Sequence, residues 1–424
     1  MINVLINAYA VSPSWGSEPG VGWNWIVNLA KSCNVFVITE GEWKDEIEVA
    51  VKDLPQCDNI HFYYNPVSPE IRKMCWNQGD WRFYIHYRKW QLKTLDIAKE
   101  IIADNRIDII HQLNMIGFRE PGYLWSIDNI PFVWGPIGNM APLPIKLLEG
   151  SSWKDKLKQG IKNSVSYCQA RTGRVRKAIK HADHLITVLD SAACLIKDVY
   201  GIDNVMIMPE TGLTVTPKVE HRYNDNDPLK LIWVGRFIPT KKLDIAIEIL
   251  SRLQTGNVEL HIVGWGSQEE ETKYRELASK LGVASKCIWY GKIPNQQVQE
   301  LMRNSDIFLF TSVVEGTPHV VLESISNNLP VLCFDMCGQG VIVNDTVGWK
   351  IPIKSMDSSV VEMVKIIDYL EKNRHIIKEK SDNCELRKPE LSWESKIERI
   401  LELYKELANK QSVTIDIPKS NGPS

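Results

Sequence analysis

Short apolar runs punctuate the chain at residues 4–8, 35–39, 61–64, 107–111, 132–134, 184–188 and 205–208, and again at 231–235, 259–263, 287–290, 307–311 and 331–334. Longer stretches with helical periodicity lie between most of them. Strands that read as nearly unbroken apolar runs are buried on both faces, so the pattern predicts an α/β protein with parallel sheets covered by helices on each side. Ligands of such sheets bind at the carboxyl ends of the strands. Near the end, residues 392–410 predict an amphipathic helix with Ile397, Ile400, Leu401 and Tyr404 on one face. Residues 411–424 have little to bury and predict a loose tail.

With 424 residues the chain is too long for one ordinary core and suits two domains of roughly 200 residues. Residues 211–228 are polar, carry Pro217 and Pro228, and include Asn224-Asp225-Asn226-Asp227, which predicts an interdomain linker. Domains are expected over residues 1–210 and 229–390, followed by a terminal helix over 391–411 and a tail over 412–424. The hydrophobic fraction of 44% is enough for two cores, and the formal charge of −2 points to no nucleic-acid partner. The nine cysteines are odd in number with no CxxC pair, which fits reduced thiols better than a disulfide framework. Cys333 and Cys337 stand in a CxxxC spacing with no second ligand pair, so they read as two thiols near a strand end rather than a zinc site. The opening MINVLINAYA reads as a first strand, not a signal peptide, and no apolar run reaches the roughly 18 residues of a membrane span. The expectation is a soluble, cytoplasmic protein, at most attached to the inner face of a membrane.

The densest chemistry lies in SDIFLFTSVVEGTPHVVLESISNNLPVLCFD, residues 305–335. A strand to about Thr311, a loop with Glu315 and Gly316, and a helix over about 318–327 are predicted, with Thr317 as N-cap and Pro318 as first helical residue. The free N–H groups of His319 and Val320, together with the helix dipole, favour an anion such as a phosphate. Glu323 lies five residues beyond Pro318, about 7–8 Å along the axis, which is the separation of a diphosphate from the ribose of one nucleotide. Glu315, across the helix start, could reach a sugar beyond the diphosphate. After the first strand, Gly16 and Gly20 belong to a glycine-rich turn of the kind that lets backbone approach a diphosphate.

Glu315-Gly316-Thr317-Pro318 through Glu323 resembles the EX7E signature of retaining glycosyltransferases with the GT-B fold, in particular glycosyltransferase family 4. Trp233-Val234-Gly235-Arg236-Phe237-Ile238-Pro239-Thr240-Lys241 is similar to the family's GR…K element, and Ile262-Val263-Gly264-Trp265-Gly266 to its VGxG turn. The likeness is strong over residues 230–352. Gly16-Ser17-Glu18-Pro19-Gly20-Val21-Gly22-Trp23, His111-Gln112-Leu113-Asn114 and Val133-Trp134-Gly135-Pro136-Ile137-Gly138 resemble a bacterial surface-polysaccharide branch, and Ser392-Trp393-Glu394 the family's return helix to the first domain.

The resemblance implies two Rossmann-like domains whose parallel sheets face across a cleft, with the donor on the C-terminal domain and the acceptor mainly on the N-terminal one. It implies transfer of a sugar from a nucleotide-diphosphate sugar to a hydroxyl, with retention, no protein nucleophile, no cofactor and no required metal. The implied acceptor is a glycan or lipid-linked glycan in O-antigen, capsule or exopolysaccharide synthesis. Catalytic roles fall on Arg236, Lys241, Glu315 and His111. Donor-binding roles fall on Gly16, Gly20, Gly235, Gly264, Gly316, Thr317, Pro318, His319, Val320 and Glu323. Two cations at the leaving phosphate stabilise charge that grows in the transition state. Lys242 occupies a position where the family usually has glycine, and Lys241 is chosen as the inward lysine. Where the family often has a second histidine, the chain has Leu113. Asp225 and Asp227 form a DxD, a spacing seen in metal-dependent sugar transferases, but they follow no strand and read as linker.

Residues 154–180 carry nine Lys or Arg and one acid, Asp155. They read either as a solvated helix face or as a patch meeting anionic lipid. Ten of the fifteen tryptophans lie in residues 1–153, and Trp15 and Trp134 border loops where they could stack on sugar faces. Two rival functions remain: an epimerase acting on nucleotide sugars, which needs no acceptor, and a non-catalytic nucleotide-sugar binding protein.

Overall fold

The computed structural model describes residues 1–77, 80–115, 117–138, 140–148, 153–215, 217–218 and 227–415, and the structural statements below concern these. Asp225 of the DxD pair, half of the predicted linker and residues 416–424 of the predicted tail lie outside the described residues. The chain divides into two compact units, Met1–Pro142 with Asn163–Thr211 and Trp393–Ser424, and Leu143–Lys162 with Gly212–Ser392.

In chain order the first stretch contains β1 (Ile2–Ala8), α1 (Ser17–Leu29), β2 (Cys33–Thr39), α2 (Lys44–Lys52), β3 (Ile60–Tyr64), α3 (Pro69–Trp76), α4 (Phe83–Asp104), β4 (Ile109–Asn114), β5 (Phe132–Ile137), α5 (Trp153–Gln169), α6 (Gly173–His181), β6 (His184–Thr187), α7 (Asp190–Tyr200) and β7 (Val205–Ile207). The second contains β8 (Leu229–Arg236), α8 (Leu243–Arg252), β9 (Val258–Trp265), α9 (Gln268–Lys280), β10 (Cys287–Gly291), α10 (Asn295–Arg303), β11 (Ile307–Phe310), α11 (His319–Ser326), β12 (Val331–Phe334), α12 (Cys337–Ile342), β13 (Gly348–Ile351), α13 (Met356–Lys372) and α14 (Arg374–Leu391), and the chain closes with α15 (Trp393–Ile415).

The first unit's sheet has seven strands in the order β3-β2-β1-β4-β5-β6-β7, and the second's has six in the order β10-β9-β8-β11-β12-β13. Every recorded pairing is parallel. In each sheet the order reverses beside the first strand, between β1 and β4 and between β8 and β11. At such a switch point the loops leaving neighbouring strands part to opposite faces and open a crevice. Apolar clusters lie on both faces of each sheet, which explains the unbroken apolar strands.

The predicted strands all form, with ends shifted by up to three residues. The short strand β13 and the helix α12 were not foreseen. Helix α15 contributes Trp393, Ile397, Ile400, Leu403, Tyr404 and Leu407 to the first unit's core. Its apolar face is therefore turned slightly from the predicted one, with Leu403 inward and Leu401 only half-buried. Leu147 is buried in the second unit's core, with Leu143 packed against it, so residues 143–162 group with the second unit.

Candidate functional site

The second unit gathers its predicted residues at the carboxyl edge of β8, β9 and β11. Gly235 of β8 and Gly264 of β9 are register partners. A Cβ on Gly264 would lie 1.8 Å from the Gly235 carbonyl oxygen, and Gly264 has a φ of +156°. The glycine is required there because two strand ends approach more closely than a side chain permits.

Beyond β8 the chain turns through Ile238 and Lys241, whose N–H donates to the Ile238 carbonyl at 3.0 Å. The strand following the switch point is stitched to this turn. Val313 N–H donates to the Thr240 carbonyl at 2.9 Å. Thr311 Oγ1 accepts from Trp233 Nε1 at 3.0 Å and lies 2.8 Å from the Lys242 carbonyl oxygen. These bonds fix the loop bearing Lys241 against the loop bearing Glu315, and the two side chains form an ion pair. Lys242 is almost fully buried and adopts a left-handed φ of 55°, the conformation that favours glycine. That backbone requirement accounts for the family's usual residue, and it is Lys241, not Lys242, that pairs with Glu315. Arg236, at the end of β8, is exposed; its carbonyl accepts from the Ile238 N–H at 2.9 Å, and its guanidinium has no hydrogen bond or ion pair among the described residues.

The start of α11 departs from the prediction by one residue. Pro318, extended with ψ 99°, is the N-cap, and the helix begins at His319. Thr317 is buried but does not cap. Val321 N–H already donates to the Pro318 carbonyl, so the N–H groups of His319 and Val320 are those the helix itself does not use. Burial holds the His319 imidazole below its ordinary range despite Glu315 nearby, which keeps it neutral. Glu323 lies on the same helix. Its Oε1 accepts from Asn295 Nδ2 at 3.4 Å, and burial raises its pKa, with Asn295 and Gln299 opposing the rise.

Sequence reasoning missed the support beneath this loop. A Cβ on Gly338 would lie 1.8 Å from the Gly316 carbonyl oxygen. Gln339, fully buried, donates from Nε2 to the Ser312 carbonyl at 3.0 Å. The signal was the Gly338 and Gly340 pair in Cys337-Gly338-Gln339-Gly340, at the start of α12 two residues after β12. Among the described residues no three His, Cys, Asp or Glu side chains are grouped as a metal site requires.

Gly16, Gly20 and His111 belong to the first unit. Gly16 is the exposed N-cap of α1, and a Cβ there would meet nothing, whereas one on Gly20 would lie 2.3 Å from the Trp15 carbonyl oxygen. His111 differs from expectation. It is fully buried, with Nε2 2.7 Å from the Gly135 carbonyl oxygen and Nδ1 bonded to the Tyr404 hydroxyl. A carbonyl only accepts, so Nε2 carries the proton and Nδ1 accepts from Tyr404. Burial lowers its pKa to about 4. Both ring nitrogens are committed to partners within the protein. Trp134 is also corrected: it is buried in the core and cannot stack on a ligand, whereas Trp15 is 60% exposed.

Two switch-point sheets, the second edged by a cation-rich glycine turn and a helix start, define the GT-B architecture. The solved structures agree. The lipopolysaccharide outer core galactosyltransferase WaaB in its apo form superposes with a TM-score of 0.60 at 18% identity, covering 98% of this chain and 99% of that one. Anabaena HepE in complex with UDP and glucose gives 0.58 at 13% identity, covering 96% of this chain and all (100%) of that one. Residues 215–383, two fifths of the chain, match the family described as Glycosyl transferases group 1. Among curated relatives, a lipopolysaccharide 1,6-galactosyltransferase of Salmonella typhimurium is 36% identical over 112 residues, 26% of this chain and 30% of that protein. Protein CapJ of Staphylococcus aureus is 27% identical over 202 residues, 46% of this chain and 47% of that protein. The chain thus spans less than half the length of either relative in these matches.

Proposed function

We propose that the protein is a retaining glycosyltransferase of the family 4 type, moving a sugar from a nucleotide-diphosphate sugar to a hydroxyl of a lipid-linked glycan in surface-polysaccharide synthesis. The observation that carries this reading is the Lys241–Glu315 pair at the switch point, beside exposed Arg236 and the start of α11. A diphosphate at the His319 and Val320 N–H groups meets a helix dipole and two cations. Glu323, further along the helix, accepts from the ribose hydroxyls. Glu315 is held by Lys241 near the transferred sugar, where it orients hydroxyls.

In the reaction the bond between the anomeric carbon and the phosphate oxygen breaks, and a bond to the acceptor oxygen forms on the same face. The acceptor's proton leaves on the departing diphosphate. Negative charge grows on that diphosphate, and Arg236 and Lys241 stabilise it more in the transition state than in the bound donor. Two fixed cations perform the service a divalent ion gives elsewhere, so the reading requires neither metal nor cofactor. His111 becomes a positioning residue that ties β4, β5 and α15 together. The name of the Salmonella relative, a lipopolysaccharide 1,6-galactosyltransferase, supports the choice of pathway class.

A thermal-shift screen against nucleotide sugars, followed by transfer to a lipid-linked acceptor, tests the reading. Stabilisation by one donor class and product formed only with acceptor present are expected. Donor turned over without acceptor would instead mark an epimerase, and binding without turnover a non-catalytic protein.

A further inference from the structure

Three tryptophans of the first unit follow three neighbouring strands. Trp15 lies in the turn after β1, Trp43 in the turn after β2, and Trp76 at the end of α3, the helix that follows β3. The strand order β3-β2-β1 makes them neighbours on one side of the sheet. Their rings touch in sequence. The ring centres of Trp15 and Trp43 are 5.9 Å apart, and those of Trp43 and Trp76 are 5.6 Å apart. The middle ring is buried in the first unit's core, whereas Trp15 is 60% exposed and Trp76 42%. One buried ring therefore props two exposed ones.

Polar groups hold these rings in place and leave acceptors beside them. Ser12 Oγ accepts from the Ser14 and Trp15 N–H groups at 3.3 and 3.2 Å, which fixes the turn carrying Trp15. Ser14 Oγ donates to Glu46 Oε2 and ties that turn to α2. Trp76 Nε1 donates to Glu42 Oε2 at 2.8 Å. The second oxygen of each carboxylate, Oε1, accepts no hydrogen bond among the described residues. Lys44, between the two acids in sequence, is turned elsewhere: it pairs with Glu48 at 3.6 Å and lies 5.1 Å from the Tyr64 ring centre. Exposed indole faces with charged acceptors at their edges suit a pyranose, whose C–H face lies on the ring while its hydroxyls donate to the carboxylates. A phosphate-bearing surface fits poorly, since it would meet Glu42 and Glu46. Two exposed rings on either side of a third have room for more than one sugar residue.

We propose that Trp15, Trp43 and Trp76, with Glu42 and Glu46, form a glycan-binding subsite that holds the sugars of the acceptor beyond the one that reacts. The first sheet's switch point lies between β1 and β4, on the other side of β1 from β2 and β3, so the three rings stand to one side of it. The acceptor role rests on the transferase reading; the binding of a glycan does not, and it is measured without a donor.

The full chain, without nucleotide, is titrated by saturation-transfer NMR with trisaccharides of glucose, galactose and N-acetylglucosamine, and with the methyl glycosides of the same sugars. At least one trisaccharide should bind about tenfold more tightly than its methyl glycoside. W15A and W76A, changed at exposed positions, should melt as the parent does, and each should weaken that trisaccharide about tenfold. W15F keeps an aromatic face and should bind within about twofold of the parent. E42Q, which removes the charged acceptor, should weaken binding severalfold. The proposal is overturned if no trisaccharide binds the parent, or if W15A and W76A bind as the parent does. It is also overturned if light scattering shows a dimer that W15A/W76A dissolves while no sugar binds, because the rings are then covered by a second copy. Glycan binding without transfer from any donor would keep the subsite and remove the transferase reading. Transfer with unaltered trisaccharide affinity in both variants would do the reverse.

Discussion

Glu323 combines a cost in the free protein with a purpose in the bound one. Burial raises its pKa, so the folded chain holds that proton more tightly than the unfolded chain does. The sign follows from linkage: a group with a raised folded pKa favours folding fully below its unfolded pKa, near 4.5, and that contribution is lost as pH rises through the folded value. At neutral pH the carboxylate therefore opposes folding, and Glu323→Gln should raise the melting temperature of the free protein by about 2 °C. The same change should weaken nucleotide binding about tenfold by calorimetry, since bonds from ribose hydroxyls to a charged acceptor are lost. Unchanged affinity would remove the ribose assignment. His111 acts with the opposite sign. Its pKa falls to about 4 from 6.5, so its share of stability is present above pH 6.5 and is lost as pH falls toward 4. The shift corresponds to about 3 kcal/mol. Urea unfolding of the parent at pH 7 and pH 5 should show part of that loss, and His111→Leu should be less stable by about 2–4 kcal/mol but flatter between the two pH values. The sequence placed His111 at a strand end; it held no sign that Tyr404, far along the chain, would close on the ring.

Elements were legible to the degree that burial alone determines them. Strands β11 and β12 are continuous apolar runs, and β1, β2 and β8 largely so, because helices cover both their faces, and such runs are visible without any knowledge of neighbours. Strand β13, Gly348-Trp349-Lys350-Ile351, lies at the sheet edge with its two central residues half-buried, so its pattern did not stand out. The turns after strands show a different limit, because glycines that look alike in sequence are needed for different reasons. Gly264→Ala places a methyl group 1.8 Å from the Gly235 carbonyl at an unfavourable φ, and should destabilise the protein by about 3 kcal/mol, read by denaturant unfolding. Gly16→Ala meets no neighbour and should leave stability within about 0.5 kcal/mol. A loss of transfer activity in Gly16→Ala would then report a ligand approaching that backbone, whereas full activity would free Gly16 from any donor role.

At the scale of the molecule, two sheets of one topology carry unequal chemistry. Each reverses strand order beside its first strand, yet in the second unit that reversal brings together Arg236, Lys241, Glu315 and the start of α11, whereas in the first His111 is closed off by Gly135 and Tyr404. This asymmetry was readable in the sequence only through motifs, since strand order depends on which runs pair and periodicity does not carry that information. It leads to a test that separates binding from catalysis. A nucleoside diphosphate at about a hundredfold its dissociation constant stabilises the state it binds by about 2.7 kcal/mol. Hydrogen exchange should therefore slow most at residues 236–241 and 315–323, and less in β2 and β3. Arg236→Ala and Lys241→Ala act at a different step. Each should lower turnover about a hundredfold while shifting melting far less, because the cations oppose charge that develops only as the donor bond breaks. The Lys241 change also unpairs Glu315, so its loss should exceed that of Arg236→Ala in thermal stability though not in rate. Full activity in both variants, or exchange protection confined to the first unit, would place the diphosphate somewhere other than the switch point of β8 and β11.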